Sequence, residues 1–331
     1  MRIFITGGAG FLGSHLAEGF LKRGDDVTVM DMAPSLKVEH LLSNPRFRYV
    51  RDSVMNMDML ENLIVQSDLV YHLAAVVGVE HYVGDPYEVL NVNINGTQNV
   101  LKLAHRYNKK IIFSSTSEVY GRNAKVPFKE DDDRVLGSTR IDRWCYSTSK
   151  AAGEHFCFAY RKLGLPVVIV RYFNIYGPRL DKIDVGRVLT IFMGQLLRQE
   201  PVTVIGDGKQ TRCFTYVDDA IRATMAAGLV PEAVGDIFNI GTDRETPILE
   251  LAETMIKITG ARSKIQFVPQ EKIYGTSYED IPRRVPDNTK MKTVLKVKPE
   301  VSLEEGLRRT IEWFQKAHFD AASKVPSASR V

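Results

Sequence analysis

Residues 2–24, "RIFITGGAGFLGSHLAEGFLKRG", set a short apolar run directly against three spaced glycines and then against a helical pattern, Leu16, Phe20 and Leu21, that Gly24 ends. A strand, a glycine turn and a helix in that order commit the chain to parallel βαβ construction. Gly7 would permit the tight turn, Gly10 would let a pyrophosphate approach the backbone, and Gly13 would let helix and strand pack closely. The free N–H groups of the helix's first turn, at Phe11 and Leu12, and the positive end of its dipole then suit phosphates.

Further apolar runs recur with helical patterns between them: "DVTVMD" at 26–31, "FRYV" at 47–50, "LVYHLA" at 69–74, "KIIFSS" at 110–115 and "PVVIVRYF" at 166–173. Continuously apolar strands are those of a parallel sheet covered by helices on both faces. The expected fold is α/β, a Rossmann-type doubly wound parallel sheet followed by a smaller C-terminal substrate-binding α/β lobe. Past residue 175 the rhythm loosens, with a strand at "VTVIG" (202–206) and helices near 187–199, 218–229 and 248–259. "DIFNIG" at 236–241 reads as a strand that could return to the main sheet. The limits expected are 1–175 for the dinucleotide domain, with a returning segment near 213–243, then 176–318 for the lobe and 319–331 for a disordered tail.

The 331 residues carry 44 basic and 40 acidic side chains, a net charge of +4 that is too balanced to mark a nucleic-acid surface. Three spaced cysteines, Cys145, Cys157 and Cys213, fit a reducing compartment and neither a disulfide framework nor a zinc site. With no charged leader before the first strand and no run of the ~20 apolar residues that span a bilayer, the expectation is a cytoplasmic protein without membrane contact.

Asp31 ends the second strand, where a carboxylate accepts hydrogen bonds from an adenosine ribose and repels a 2′-phosphate, favouring NAD over NADP. Its structural alternative is a turn or helix-capping role. Asp52 and Ser53, after the next strand, suit an adenine edge or a simple Asx turn. Ala74 and Ala75 at a strand end would permit close passage of a cofactor. Tyr146 and Lys150, in "YSTSK", fall at i and i+4 on one helical face. An ammonium beside a phenol favours phenolate, so Lys150 is expected to lower the Tyr146 pKa from about 10 toward neutrality and poise it to take a proton from an alcohol.

Together with Thr116, which ends a strand, these residues resemble the short-chain dehydrogenase/reductase superfamily in its extended, nucleotide-sugar branch. The resemblance runs from "TGGAGFLG" through "YSTSK" and "RYFNIYGPR" to "PDNTKMKTVLKVKPEVSLEEGLRRTIEWF". It implies an NAD-dependent enzyme that oxidises a sugar to its 4-keto form, with Thr116 polarising the sugar hydroxyl, Tyr146 as base and Lys150 also on the nicotinamide ribose. It implies cofactor contacts at Leu73, Ser114 and Tyr172, and a homodimer through helices near 88–107 and 146–163.

In "STSEVYG" at 115–121 the carboxylate of Glu118 stands where typical 4-epimerases carry a small or apolar residue. The string is similar to that of UDP-glucuronate decarboxylases, as is "SYEDIPRRVPD" at 277–287, where the resemblance makes Arg284 catalytic and Tyr278 a substrate contact. A surface ion pair of Arg284 with Glu279 or Asp280 is the structural alternative. Asn174, Arg179, Arg187 and Arg212 match positions around sugar and pyrophosphate, Arg179 with a structural alternative. The resemblance favours decarboxylation of UDP-glucuronate. UDP-glucuronate or UDP-glucose 4-epimerisation comes next, then 4,6-dehydration. A non-enzymatic NAD-binding protein would predict a damaged Thr/Tyr/Lys set, and all three residues are intact.

Overall fold

The computed structural model describes residues 1–184, 186–269, 281 and 283–323, with side chains through residue 317. In chain order the first half runs β1 (Arg2–Thr6), α1 (Phe11–Arg23), β2 (Asp26–Asp31), β3 (Phe47–Arg51), α2 (Met57–Gln66), β4 (Leu69–His72), α3 (Val79–Gly84), α4 (Pro86–Asn91), α5 (Thr97–Arg106) and β5 (Lys110–Thr116). A π-helical turn, Val92–Gly96, joins α4 to α5. Then come α6 (Arg143–Lys162), β6 (Val167–Tyr172), β7 (Ile175–Tyr176), α7 (Val188–Leu197), β8 (Val202–Ile205), β9 (Thr211–Arg212), β10 (Thr215–Tyr216) and α8 (Val217–Leu229). The chain closes with β11 (Ile237–Ile240), β12 (Thr246–Pro247), α9 (Ile248–Thr259), β13 (Ile265–Val268), α10 (Thr289–Thr293) and α11 (Leu303–Ser323).

Among the described residues, seven strands form one parallel sheet in the order β11-β6-β5-β4-β1-β2-β3. The strand order reverses between β1 and β4, which opens a crevice at the carboxyl ends of the strands. Alternate residues of β1 show why these strands are apolar throughout. Ile3 and Ile5 pack with Leu16 and Phe20 of α1 and Ala220 and Ile221 of α8, while Phe4 packs with Leu60 and Leu63 of α2 and Leu101 of α5 on the opposite face. β11 pairs in parallel with β6, Ile237 opposite Ile169, so the chain does return to the sheet after β8. β8 pairs with β13 outside that sheet, under α7 and α9. Among the described residues no helix is long and apolar enough to cross a membrane.

One buried and one half-buried imidazole give the fold an acid sensitivity. His72, at the end of β4, lies between the hydroxyls of Thr6 (2.7 Å) and Thr97 (3.0 Å). Burial, with the charge of Lys150, pushes its pKa down to about 3. Burial and the charge of Arg179 push His15 down to about 4. The unfolded chain takes up both protons near 6.5. The stability these groups contribute is therefore complete above that value and is lost as pH falls from it through the folded-state values. The urea midpoint of the cofactor-free protein is expected to decline steadily from about pH 7 to about pH 5, less steeply in His72→Gln. A flat midpoint across that interval would contradict the assignment.

Candidate active site

At the first βα turn, Gly7 has φ +73 and donates to the Met30 carbonyl at 2.8 Å. A Cβ there would lie 2.6 Å from the Ala74 backbone nitrogen, so only glycine fits. Gly10 caps α1 without a side-chain hydrogen bond, and the first turn, from Phe11 and Leu12, holds no acidic residue. Its N–H groups are thus open to an anion. Asp31 accepts from the backbone N–H of Ala9 and of Ala33, both at 2.9 Å, and burial raises its pKa despite those donors. Its carboxylate therefore both shapes the turn and borders the phosphate loop.

Asp52 accepts from the Ser53 N–H (2.7 Å) and the Asn56 amide (2.9 Å), and the Ser53 hydroxyl from the Met55 N–H (3.2 Å). Asp52 bonds the adjacent N–H, so the i to i+2 side-chain turn here is made by the Ser53 hydroxyl with Met55, one strand away from Asp31. Leu73 donates to the Thr6 carbonyl (3.0 Å) and Ala74 to the Thr6 hydroxyl (3.3 Å), and Ala75 follows on the same strand exit. The Tyr172 hydroxyl is bonded to Thr224 of α8 at 2.9 Å. A glycine cradle, an uncapped helix start and a carboxylate at the end of β2 fit a dinucleotide. Gly7, Gly10, Phe11, Leu12 and Asp31 would hold its phosphates and ribose.

Opposite this loop, β5 ends at Thr116, whose hydroxyl accepts from the Glu118 N–H at 3.2 Å and starts a 3-10 turn, Ser117–Tyr120. That turn answers why a carboxylate follows a strand: it carries Glu118 back across the sheet edge toward α6. Thr116 faces Tyr146, opposing the rise of its phenol pKa, and Tyr146 stacks on Tyr82 with centroids 5.7 Å apart. Glu118 accepts from Arg284 at 2.6 Å and from Arg143 at 3.0 Å. Burial alone would raise Glu118, but the charges of Arg284 and Arg143, with Arg212 beyond, hold it down at about 2.

One expectation is corrected. Lys150 does not lower the Tyr146 pKa in the cofactor-free protein. Burial, and then the Glu118 charge, push the phenol up, opposed by Arg187, Thr116 and Arg284. The Lys150 ammonium is instead hydrogen-bonded to the Ser114 carbonyl at 2.8 Å, and burial brings its own pKa down to about 8. The i, i+4 spacing puts both side chains on one face, but dehydration of the phenol outweighs a neighbouring charge already hydrogen-bonded elsewhere.

The Asn174 side chain has a buried Nδ2 without a partner among the described residues, on a residue with φ +38. Arg187, at the start of α7, is bonded to Asp181 (2.7 Å) and reaches the Ile175 carbonyl (3.3 Å). Arg212 donates to the Thr211 carbonyl at 2.8 Å. Arg179 is not brought to this cluster: its guanidinium is bonded to Glu18, His15 and His40, the structural side of its reading. Tyr278, Glu279 and Asp280 lie outside the described residues. Cys145 precedes Tyr146 but burial pushes its thiol up to about 11, which leaves it inert.

Arg143 was not singled out by the sequence reading. It lies three residues before Tyr146 and seven before Lys150, on the same helical face, so the spacing in "RWCYSTSK" carried the signal. Asn93, buried in the π-helical turn, bonds Val76 backbone groups and the Ser149 hydroxyl (3.2 Å). No periodicity marks it.

The model of the NAD dependent epimerase/dehydratase family matches residues 3–241. A UDP-N-acetyl-alpha-D-glucosaminuronate decarboxylase of Bacillus cytotoxicus is 45% identical over 96% of this chain and 99% of its own. UDP-glucuronic acid decarboxylase 1 of Arabidopsis thaliana is 38% identical over 95% of this chain and 70% of its own. Among solved structures, UDP-glucuronic acid 4-epimerase of Bacillus cereus, in complex with UDP-glucuronic acid and NAD, superposes with a TM-score of 0.85 at 33% identity, covering 96% of this chain and 100% of that one. The chain belongs to the NAD dependent epimerase/dehydratase family, with the extended short-chain dehydrogenase/reductase fold.

Proposed function

We propose that the protein is an NAD-dependent decarboxylase of a UDP-linked uronic acid, working through a 4-keto sugar. The observation that carries this reading is the buried pairing of Arg284 with Glu118 beside Tyr146. A neutral hexose needs no such group near C5, whereas a uronate brings a second carboxylate for which guanidinium is the matching donor. The Arg284 Nε is buried and has no partner among the described residues, so the side chain retains donor capacity.

The chemistry follows from those groups. Tyr146, which faces Thr116, must be phenolate to act as base; the Lys150 ammonium and the positive charge of bound NAD would favour that form against burial, and the phenolate then takes the proton of the sugar 4-hydroxyl. NAD, held at Gly7, Gly10, Phe11, Leu12 and Asp31, would supply the hydride acceptor for C4 and the donor for its return. The 4-ketone makes the C5 carboxylate a β-keto acid. The C5–C6 bond then breaks, its electron pair moves through C5 onto the C4 oxygen, and carbon dioxide leaves. Tyr146 and Thr116 stabilise the resulting enolate oxygen, and C5 takes up a proton, drawn from solvent and delivered by Glu118, in place of the lost carboxylate. While the substrate carboxylate shares Arg284 with Glu118, like-charge repulsion raises Glu118 from its low value. Loss of carbon dioxide restores the Arg284–Glu118 ion pair.

The names of the decarboxylase relatives support the reaction, and both glucuronate and N-acetylglucosaminuronate are candidate sugars. A homodimer in the cytoplasm completes the proposal. Free cysteines, two of them buried, agree with a reducing compartment. The test is incubation with NAD and either UDP-uronate, with products read by mass spectrometry and proton NMR. A UDP-pentose, or its 2-acetamido analogue, lighter by carbon dioxide, supports the reading. An isobaric epimer at C4 would replace it with 4-epimerisation.

A further inference from the structure

Beneath the Thr116–Glu118 turn lies a buried polar cluster that touches no reacting atom. Asn239, on β11, is fully buried. Its amide nitrogen donates to the carbonyls of Phe128 (2.9 Å) and Asp287 (3.3 Å), and its side-chain oxygen accepts from the Tyr120 hydroxyl (2.7 Å). Its backbone N–H donates to Glu130 (2.9 Å). Tyr120 closes the 3-10 turn that carries Glu118. On the other side, Phe128 donates to the Val285 carbonyl and Asp287 donates back to the Phe128 carbonyl, both at 2.8 Å. The segment that bears Arg284 is thereby clipped to Phe128.

One carboxamide thus joins the two loops whose side chains meet at Glu118 and Arg284, positions 166 residues apart in the chain. The carboxamide offers an acceptor to the Tyr120 hydroxyl, which already accepts from Arg171, and donors to the two carbonyls. Arg171 anchors the arrangement. It donates to both oxygens of Glu154 (2.8 and 2.6 Å), to the Tyr120 hydroxyl (2.8 Å) and to the Glu130 carbonyl (2.8 Å). Glu154 sits one turn beyond Lys150 on α6 and accepts from Ser115, next to Thr116, at 2.5 Å.

We infer that Asn239 is a positioning residue that sets the spacing between Glu118 and Arg284, with the Tyr120 hydroxyl as its link to the Glu118 turn. The inference rests on the decarboxylase reading for its catalytic consequence, but its geometric content is independent of the product formed. It concerns the uronate end of the substrate, because Glu118 and Arg284 are the side chains carried by the two loops that Asn239 joins.

The test compares wild type with Asn239→Asp, which keeps the acceptor for Tyr120 but loses both donated bonds, and with Tyr120→Phe. The latter keeps the ring stacked on Phe128, with centroids 4.6 Å apart, and so remains foldable if Asn239→Asp does not. Calorimetry on the NAD-loaded proteins measures binding of UDP, UDP-glucose and UDP-glucuronate. The expected result is unchanged UDP affinity, with the preference for UDP-glucuronate over UDP-glucose reduced roughly 10–100-fold, the scale of an ångström-level misplacement. After mixing with UDP-glucuronate, reduced nicotinamide should accumulate, because oxidation at C4 proceeds while the step at C5 lags. Unchanged preference in Tyr120→Phe, or equal loss for all three ligands, would overturn the inference. Absence of carbon dioxide release by the wild type would instead overturn the functional reading, leaving the binding comparison as the test of Asn239.

Discussion

Tyr146→Phe is expected to lower turnover about 10²–10⁴-fold, the range for loss of a positioned acid–base group, while UDP-sugar affinity stays near wild type. The substitution removes one oxygen and keeps the ring stacked on Tyr82. Without the phenol no other group among the described residues is in place to take the 4-hydroxyl proton, because the Lys150 ammonium is bound to the Ser114 carbonyl and the Thr116 hydroxyl is a poor base. The loss falls on the first chemical step, so no reduced nicotinamide should form in a single turnover. Formation of reduced nicotinamide at the wild-type rate would remove Tyr146 from its role.

Glu118→Gln is expected to leave that first step intact and to slow carbon dioxide release by about 10²-fold or more. The carboxylate is held ionised, at about 2, by the charges of Arg284 and Arg143 against the penalty of burial. A neutral amide of equal size leaves both guanidiniums free to grip the uronate, so substrate affinity should hold or rise, while the proton step at C5 loses its carboxylate. The signature is therefore opposite to that of Tyr146→Phe: reduced nicotinamide accumulates instead of failing to appear. Rapid-mixing absorbance separates the two. Full turnover by Glu118→Gln would show that the glutamate only fills space between two arginines.

The parts of this account that were legible in the sequence are those specified by local chemistry. The turn at Gly7, the end of β2 at Asp31 and the apolar strands follow from patterns a few residues long, and β11 was recognisable as a buried strand. Its Asn239 was not, because a single amide in "DIFNIG" gains its meaning only from Phe128, Tyr120 and Asp287, none of them a sequence neighbour. The pairing of Glu118 with Arg284 was reached through resemblance to known enzymes, since no spacing rule connects residues so far apart. Arg143 was one helical turn from Tyr146 and could have been found by the same periodicity that paired Tyr146 with Lys150. The partner of β8 escaped because β13 is four residues long and half exposed, with neither alternation nor a flanking hairpin to mark it. The direction of the Tyr146 shift was misread for a different reason: sequence gives the neighbours of a phenol but not how completely water is excluded from it.

The central claim is that the Glu118–Arg284 pair directs the 4-keto sugar to lose its C5 carboxylate. It is tested most directly with UDP-glucuronate labelled with carbon-13 at the carboxyl carbon. With the wild-type protein and NAD, the account predicts labelled carbon dioxide released in step with formation of an unlabelled UDP-pentose. Retention of the label in a UDP-hexuronate epimerised at C4 would contradict it.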